Sequence, residues 1–188
     1  MSRNETDSLI LNVAEKADKM KNDMNKKRAA KYEESSWLEY EATFKAMLYH
    51  QLIKNGLDCW KISMENSPVA EGNKDIESKK IDIWIDEENY DYFLEVKMIR
   101  VKTETGGLRR VNDKKGVYGD LLKLDEILRY RNDKSTFGVA IAVYNGPDDN
   151  IDYEYIESKL NKEATGLLSQ NLKMMICANG KCKYVKNR

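Results

Sequence analysis

Apolar and polar residues alternate with period 2 in two neighbouring stretches, Lys80-Ile81-Asp82-Ile83-Trp84-Ile85-Asp86 and Tyr92-Phe93-Leu94-Glu95-Val96-Lys97-Met98. That period predicts two half-buried β-strands. In the first, Ile81, Ile83 and Ile85 share one face and Asp82, Trp84 and Asp86 the other. In the second, Leu94, Val96 and Met98 oppose Phe93, Glu95, Lys97 and Ile99. A hairpin with an even loop, either Glu88-Asn89 or the four residues Glu87 to Tyr90, sets Asp82 directly opposite Glu95. Opposed Cα atoms lie roughly 4.5–5.5 Å apart, so both carboxylates could grip one cation. Facing like charges destabilise a ladder unless they are neutralised; a divalent metal and the Lys97 ammonium would do that. An odd loop would flip one strand.

Elsewhere the period changes to that of helices. Residues 7 to about 33 read as a polar helix in which Ile10, Val13, Ala17, Met20 and Met24 form a short heptad-like seam, ending at Lys26-Lys27-Arg28. Packing on its own domain, a homodimer contact and a basic arm for nucleic acid are three uses of such a helix. Ser36-Trp37-Leu38-Glu39 has the form of a capping box. It opens a second helix with Trp37, Glu41, Phe44, Leu48 and Leu52 on one stripe, closed by Asn55-Gly56. Glu41 is an acid inside that apolar stripe: it either pairs with Lys45 and snorkels, or meets a partner or metal.

A strand is predicted over Asp58–Met64, followed by a polar loop with Pro68, Gly72 and Asn73. Further on come an amphipathic helix over Asp120–Leu128, a continuously apolar buried strand over Thr136–Tyr144 and a helix over Asp152–Lys162. A hairpin at Asn179-Gly180 follows. This order predicts an α/β fold, a mixed central β-sheet flanked by helices, with a helical extension over 1–34 and the main domain over 35–188.

Of the 188 residues, 41% are hydrophobic, enough for a core; lysine plus arginine equals aspartate plus glutamate, 32 each. Net charge therefore argues for no partner, and only local clusters can. No apolar run approaches the ~18–20 residues of a membrane span, and the first residues lack a signal peptide's apolar core. Three cysteines, Cys59, Cys177 and Cys182, match no zinc pattern and suggest reduced thiols in the cytoplasm. The Asn179-Gly180 turn would nonetheless face Cys177 with Cys182, so a cross-strand disulfide is the alternative under oxidation.

Residues 100–118 read as an irregular, mobile loop. Arg100, Lys102, Arg109, Arg110, Lys114 and Lys115 stand against Glu104 and Asp113, hence net +4. The run is either a solvated surface or a phosphate-contacting flap. Lys173, Lys181, Lys183, Lys186 and Arg188, with no acid from Lys173 onward, either add phosphate contacts or keep a sheet edge soluble. His50 is the only histidine and lies off its helix's apolar stripe, which excludes zinc hydrolases and Ser-His-Asp triads. Gly106-Gly107 lacks the Gly-Lys-Ser/Thr of a P-loop.

A helix bearing Glu41, a strand with Asp82, a partner reading Glu95-Val96-Lys97, then an Asp120-Leu121-x-Lys123-Leu124 helix and a buried strand together resemble the PD-(D/E)XK nuclease superfamily over residues 36–145. The naming proline is absent; Ile81 stands before Asp82. The resemblance implies a restriction-endonuclease-like αβββαβ core and a Mg²⁺-dependent nuclease, Mn²⁺ substituting, acting on nucleic acid, DNA first, to leave 5′-phosphate and 3′-hydroxyl ends. It implies that Asp82, Glu95, the Val96 carbonyl and Glu41 bind metal, and that Lys97 orients water or stabilises developing charge. Lys123 and the flap residues would hold the phosphate backbone. The other reading is a non-catalytic binding module that keeps the fold. Incidental salt bridges on an exposed strand pair are the plain alternative, but Trp84 and Phe93 on the same face argue that it is covered.

Overall fold

The computed structural model describes residues 2–32, 41–67, 79–101, 108–131, 135–145 and 153–186. Helix α1 (Arg3–Tyr32) and helix α2 (Glu41–Lys54) precede a short 3₁₀ turn (Cys59–Lys61). Strands β1 (Ile62–Asn66), β2 (Ile81–Asp86), β3 (Tyr90–Val101) and β4 (Leu108–Arg109) follow. Then come α3 (Val117–Tyr130), β5 (Ser135–Tyr144), the short helices α4 (Tyr153–Ser158) and α5 (Lys162–Gly166), and finally β6 (Leu172–Ala178) and β7 (Lys181–Tyr184).

The strands make one open mixed sheet in the order β1-β2-β3-β5-β6-β7, with β4 paired to β3. Pairing is antiparallel from β1 to β3 and between β6 and β7, and parallel at β3–β5 and β5–β6. Both parallel pairs are central, and β5 is buried from Thr136 to Tyr144, as a doubly covered strand requires. The α/β fold with a mixed sheet between helices is therefore the observed one, and its αβββαβ order is kept.

One core lies beneath α1 and α2, where Ile10, Val13, Ala17, Phe44, Leu48 and Leu52 meet Ile83, Ile85, Leu94, Val96 and Met98. The other lies beneath α3, where Val117, Leu121, Leu124 and Ile127 meet Phe93, Ile99, Ala140 and Ala142. Ile10, Val13 and Ala17 of the heptad-like seam are thus spent within the chain, while Met20 and Met24 stay exposed. Asp18 and Lys21, both buried, fasten α1 to the far edge: they pair at 2.6 Å, Asp18 accepts the Gly180 N–H and Lys21 donates to the Tyr144 carbonyl.

Several elements differ from the period-based expectations. The first strand begins at Ile62, because Asp58 to Lys61 close a turn through the Lys61 N–H and the Asp58 carbonyl at 3.0 Å. The helix expected over 152–162 is two: the Asn161 side chain accepts the Ala164 N–H at 2.7 Å and caps a new helix. Ile81 packs in the second core rather than beside Ile83. The C-terminal hairpin is part of the central sheet, since β6 pairs with β5. Its turn residues Asn179 and Gly180 have φ of 53° and 76°, the positive pair that a tight hairpin turn needs. Cys177 and Cys182 across that turn are joined in a disulfide, Cα atoms 4.2 Å apart, whereas Cys59 is free and exposed. The capping box at Ser36–Glu39 lies outside the described residues.

Candidate functional site

The β2–β3 register runs from Asp86–Asp91 to Ile83–Leu94, leaving the four-residue loop Glu87 to Tyr90, an even one. Asp82 and Glu95 are the next residues along, just beyond the last ladder pair. Beyond that point carboxylates accept the N–H groups of β3. Asp82 Oδ2 accepts from Val96 at 2.7 Å and Glu41 Oε2 from Met98 at 3.3 Å. The Asp82 N–H donates to Glu95 Oε1 at 3.3 Å. Glu41 reaches β3 because it stands in the first turn of α2, whose apolar side, Phe44, Leu48 and Leu52, is pressed into the first core.

Three lysines interleave with these acids. Lys45, one turn beyond Glu41, lies 2.5 Å from Asp82, 3.2 Å from Glu65 and 3.6 Å from Glu41. Lys97 lies 3.4 Å from Glu41 and 3.8 Å from Asp120. Lys123 on α3 lies 2.6 Å from Glu95 and donates to the Lys80 carbonyl at 2.9 Å. The cluster thus holds five carboxylates, Glu41, Glu65, Asp82, Glu95 and Asp120, against three ammonium groups. With every acid ionised it would be short of two positive charges.

Electrostatics registers that shortage. Burial, then the Asp82 charge, pushes the Glu95 carboxyl up to about 8, against the pull of Lys123. Burial pushes Asp120 up to about 7, with Lys97 and Lys123 only partly offsetting it. Asp82 is raised by burial too, although Lys45 and the Val96 N–H hold it back. Burial disfavours the Lys45 ammonium, yet Asp82 outweighs this and raises its pKa. Asp120 Oδ2 is buried and accepts no hydrogen bond.

Asp82, Glu95, Lys97 and Glu41 are accordingly brought together, with Val96 joining them through its N–H. Lys123 sits among them, bound to Glu95 rather than free at the surface. Lys45, Glu65 and Asp120 were not singled out as site residues by the sequence. Asp120 had a signal in its spacing of three from Lys123, one face of a helix; Glu65 had none, since β1 shows no clean alternation.

The described part of the basic segment, 108–118, is held by backbone hydrogen bonds. Arg100 pairs with Arg109 and Val101 with Leu108 through their backbones. The Val117 and Tyr118 N–H groups donate to the Arg110 and Val111 carbonyls at 2.9 and 3.1 Å, which ties residues 110–118 to the start of α3. A Cβ on Gly119 would stand 2.0 Å from the Lys114 carbonyl oxygen, so only glycine admits this closeness. Arg110, Lys114 and Lys115 are exposed; Lys102 lies outside the described residues.

Among the described residues no three of His, Cys, Asp and Glu are disposed to hold a metal as they stand; the acids face lysines instead. The donor set still fits a hard divalent cation, being all carboxylate oxygen; beside it the buried Asp120 Oδ2 accepts no hydrogen bond and lies 3.8 Å from the Lys97 ammonium. No helix among them is long and apolar enough to cross a membrane.

No protein-family model and no curated protein matches the chain. Among solved structures there is a distant likeness to Pyrococcus furiosus SfsA in complex with Ca²⁺, at 12% identity and a TM-score of 0.33. It covers 76% of this chain and 62% of that one, so the chain spans less than two thirds of that protein's length.

Proposed function

We propose that the protein is a metal-dependent nuclease of the PD-(D/E)XK type that hydrolyses phosphodiester bonds, with DNA the substrate to try first. The observation that carries this reading is the meeting of Asp82, Glu95 and Lys97 with Glu41 on one patch between α2 and α3, at the very positions the resemblance picks out. Asp82, Glu95 and Glu41, with the Val96 carbonyl, would hold Mg²⁺ or Mn²⁺. The ion supplies polarisation of the phosphate and acidification of water.

The remaining chemistry belongs to the chain. Lys97, between Glu41 and Asp120, would orient the attacking water and offset charge as it grows on the phosphate oxygens. Lys123 would hold a backbone phosphate once its grip on Glu95 is shared with a metal. Arg110, Lys114 and Lys115, presented beside the start of α3, would bind flanking phosphates, with Arg100, Lys102 and Arg109 assigned the same role from the sequence. Such contacts give affinity without sequence preference.

The second reading, a non-catalytic module that binds nucleic acid or protein, is favoured by one observation: each paired acid already has a lysine. Incubation with supercoiled plasmid, linear duplex and single strands, in Mg²⁺, Mn²⁺ or EDTA, separates the two. Cleavage that needs metal and disappears in Lys97→Ala and Glu95→Ala supports the nuclease. Cleavage unaffected by either change points to a contaminant, and binding without cleavage to the module.

A further inference from the structure

We infer that Lys45 is a built-in stand-in for the metal ion, which holds Asp82 in the metal-free protein and must move aside, toward Glu65, when a divalent cation binds. The inference rests on the nuclease reading for the identity of the metal ligands.

Lys45 follows Glu41 by one helical turn, so the two side chains leave the same face of α2. Its side chain is only 12% exposed, and the ammonium touches three carboxylates, Asp82 at 2.5 Å, Glu65 at 3.2 Å and Glu41 at 3.6 Å. A Mg²⁺ ion stands about 2.0–2.1 Å from its ligand oxygens. An ion shared by Asp82 and Glu41 would fall in the volume that this ammonium fills. The two cations compete for the same oxygens.

The other lysines meet the remaining acids. Lys97 pairs with Glu41 and Asp120, and Lys123 with Glu95; among the described residues, Lys45 is the cation paired with Asp82. Glu65 provides the alternative seat. It lies on the outermost strand, its side chain is 54% exposed, and its backbone sits at φ 51°, a left-handed conformation uncommon for a non-glycine residue. A lysine released from Asp82 can stay with Glu65 without leaving the site or burying a bare charge.

The test is Mn²⁺ binding to the full chain, followed by calorimetry and by the Mn²⁺ electron spin resonance signal, for the unaltered protein, Lys45→Met and Glu65→Gln. Lys45→Met should bind about 10- to 1,000-fold more tightly, the range over which a neighbouring cation alters a carboxylate's hold on a proton. Glu65→Gln should bind more weakly, because the displaced lysine loses its seat. Equal or weaker binding by a natively folded Lys45→Met overturns the inference and leaves the nuclease reading standing. No Mn²⁺ binding by either protein overturns both.

If Lys45→Met does not fold, the unaltered protein labelled with ¹⁵N-lysine is titrated with Mg²⁺. The Lys45 ammonium resonance should shift and exchange faster with solvent. A resonance unmoved at saturating Mg²⁺ overturns the inference.

Discussion

Asp82 and Glu95 touch just beyond the last β2–β3 ladder pair, the Asp82 N–H donating to Glu95 Oε1 at 3.3 Å. Both are nearly inaccessible to solvent. Each is held by a lysine from a different helix, Asp82 by Lys45 of α2 and Glu95 by Lys123 of α3. The sheet thus supplies acids and the two covering layers supply cations. Buried carboxylates crowded in this way bind protons, lysines or a metal according to which is offered.

Exchanging the two acids for amides should have unequal effects without metal. Asp82→Asn leaves the partly buried Lys45 without its nearest partner and is expected to cost about 1–3 kcal/mol. Glu95→Gln mimics a group already inclined to be neutral and should cost less. Urea unfolding with EDTA measures that order. Repeated with Mg²⁺, neither variant should show the stabilisation expected of the unaltered protein.

The raised carboxyls set a pH dependence. A folded-state pKa above the unfolded value means that the folded protein holds the proton more tightly. The contribution is fully present below the ordinary carboxylate range and is lost as pH rises through about 7 for Asp120 and about 8 for Glu95. Metal-free protein should therefore lose stability across that window. Divalent cations should bind more tightly at the alkaline end and release protons as they bind. Calorimetry in buffers of different ionisation enthalpy counts those protons; a count of zero near neutral pH would contradict the arrangement.

Lys97→Met should separate binding from turnover. Metal affinity should rise, and by less than in Lys45→Met, since Lys97 touches Glu41 at 3.4 Å but pairs with neither Asp82 nor Glu95. Cleavage should fall by about 10²–10³, the usual effect of removing one group that stabilises a transition state. A plasmid-nicking time course beside a Mn²⁺ titration checks both halves.

Gly119→Ala tests the seating of the basic segment. In an ordinary helix this change stabilises by about 1 kcal/mol. Here the new Cβ meets the Lys114 carbonyl oxygen at 2.0 Å, and overpacking of that kind costs about 1–3 kcal/mol. The clash should win. A lower thermal midpoint is expected, with weaker binding of duplex DNA as Lys114 and Lys115 are pushed out of place.

Removing the charges themselves, as Arg110→Ala with Lys114→Ala and Lys115→Ala, should weaken DNA binding uniformly across sequences. The slope of log affinity against log salt should become shallower by about 0.9 for each phosphate that the protein no longer neutralises. An unchanged slope would return these residues to the role of a solvated surface.

Strand pairing was legible in the sequence because β-structure repeats every two residues. The facing of Asp82 and Glu95 follows from counting along Lys80–Met98 once the loop is even. The α2 stripe, the α3 stripe and the doubly buried β5 followed from equally local patterns. What counting could not reach is the meeting of elements remote in the chain. Lys45 and Asp82 are 37 residues apart; Lys123 and Glu95 are similarly distant in sequence. An isolated lysine on a helix carries no mark of which acid it will meet. Only the packing of α2 and α3 on the sheet brings those ammonium groups to Asp82 and Glu95 respectively. Likewise the Arg110 and Val111 carbonyls accept the first N–H groups of α3, a link that composition alone does not show. Local periodicity determined the elements and the facing acids; the packing of distant elements determined what neutralises them.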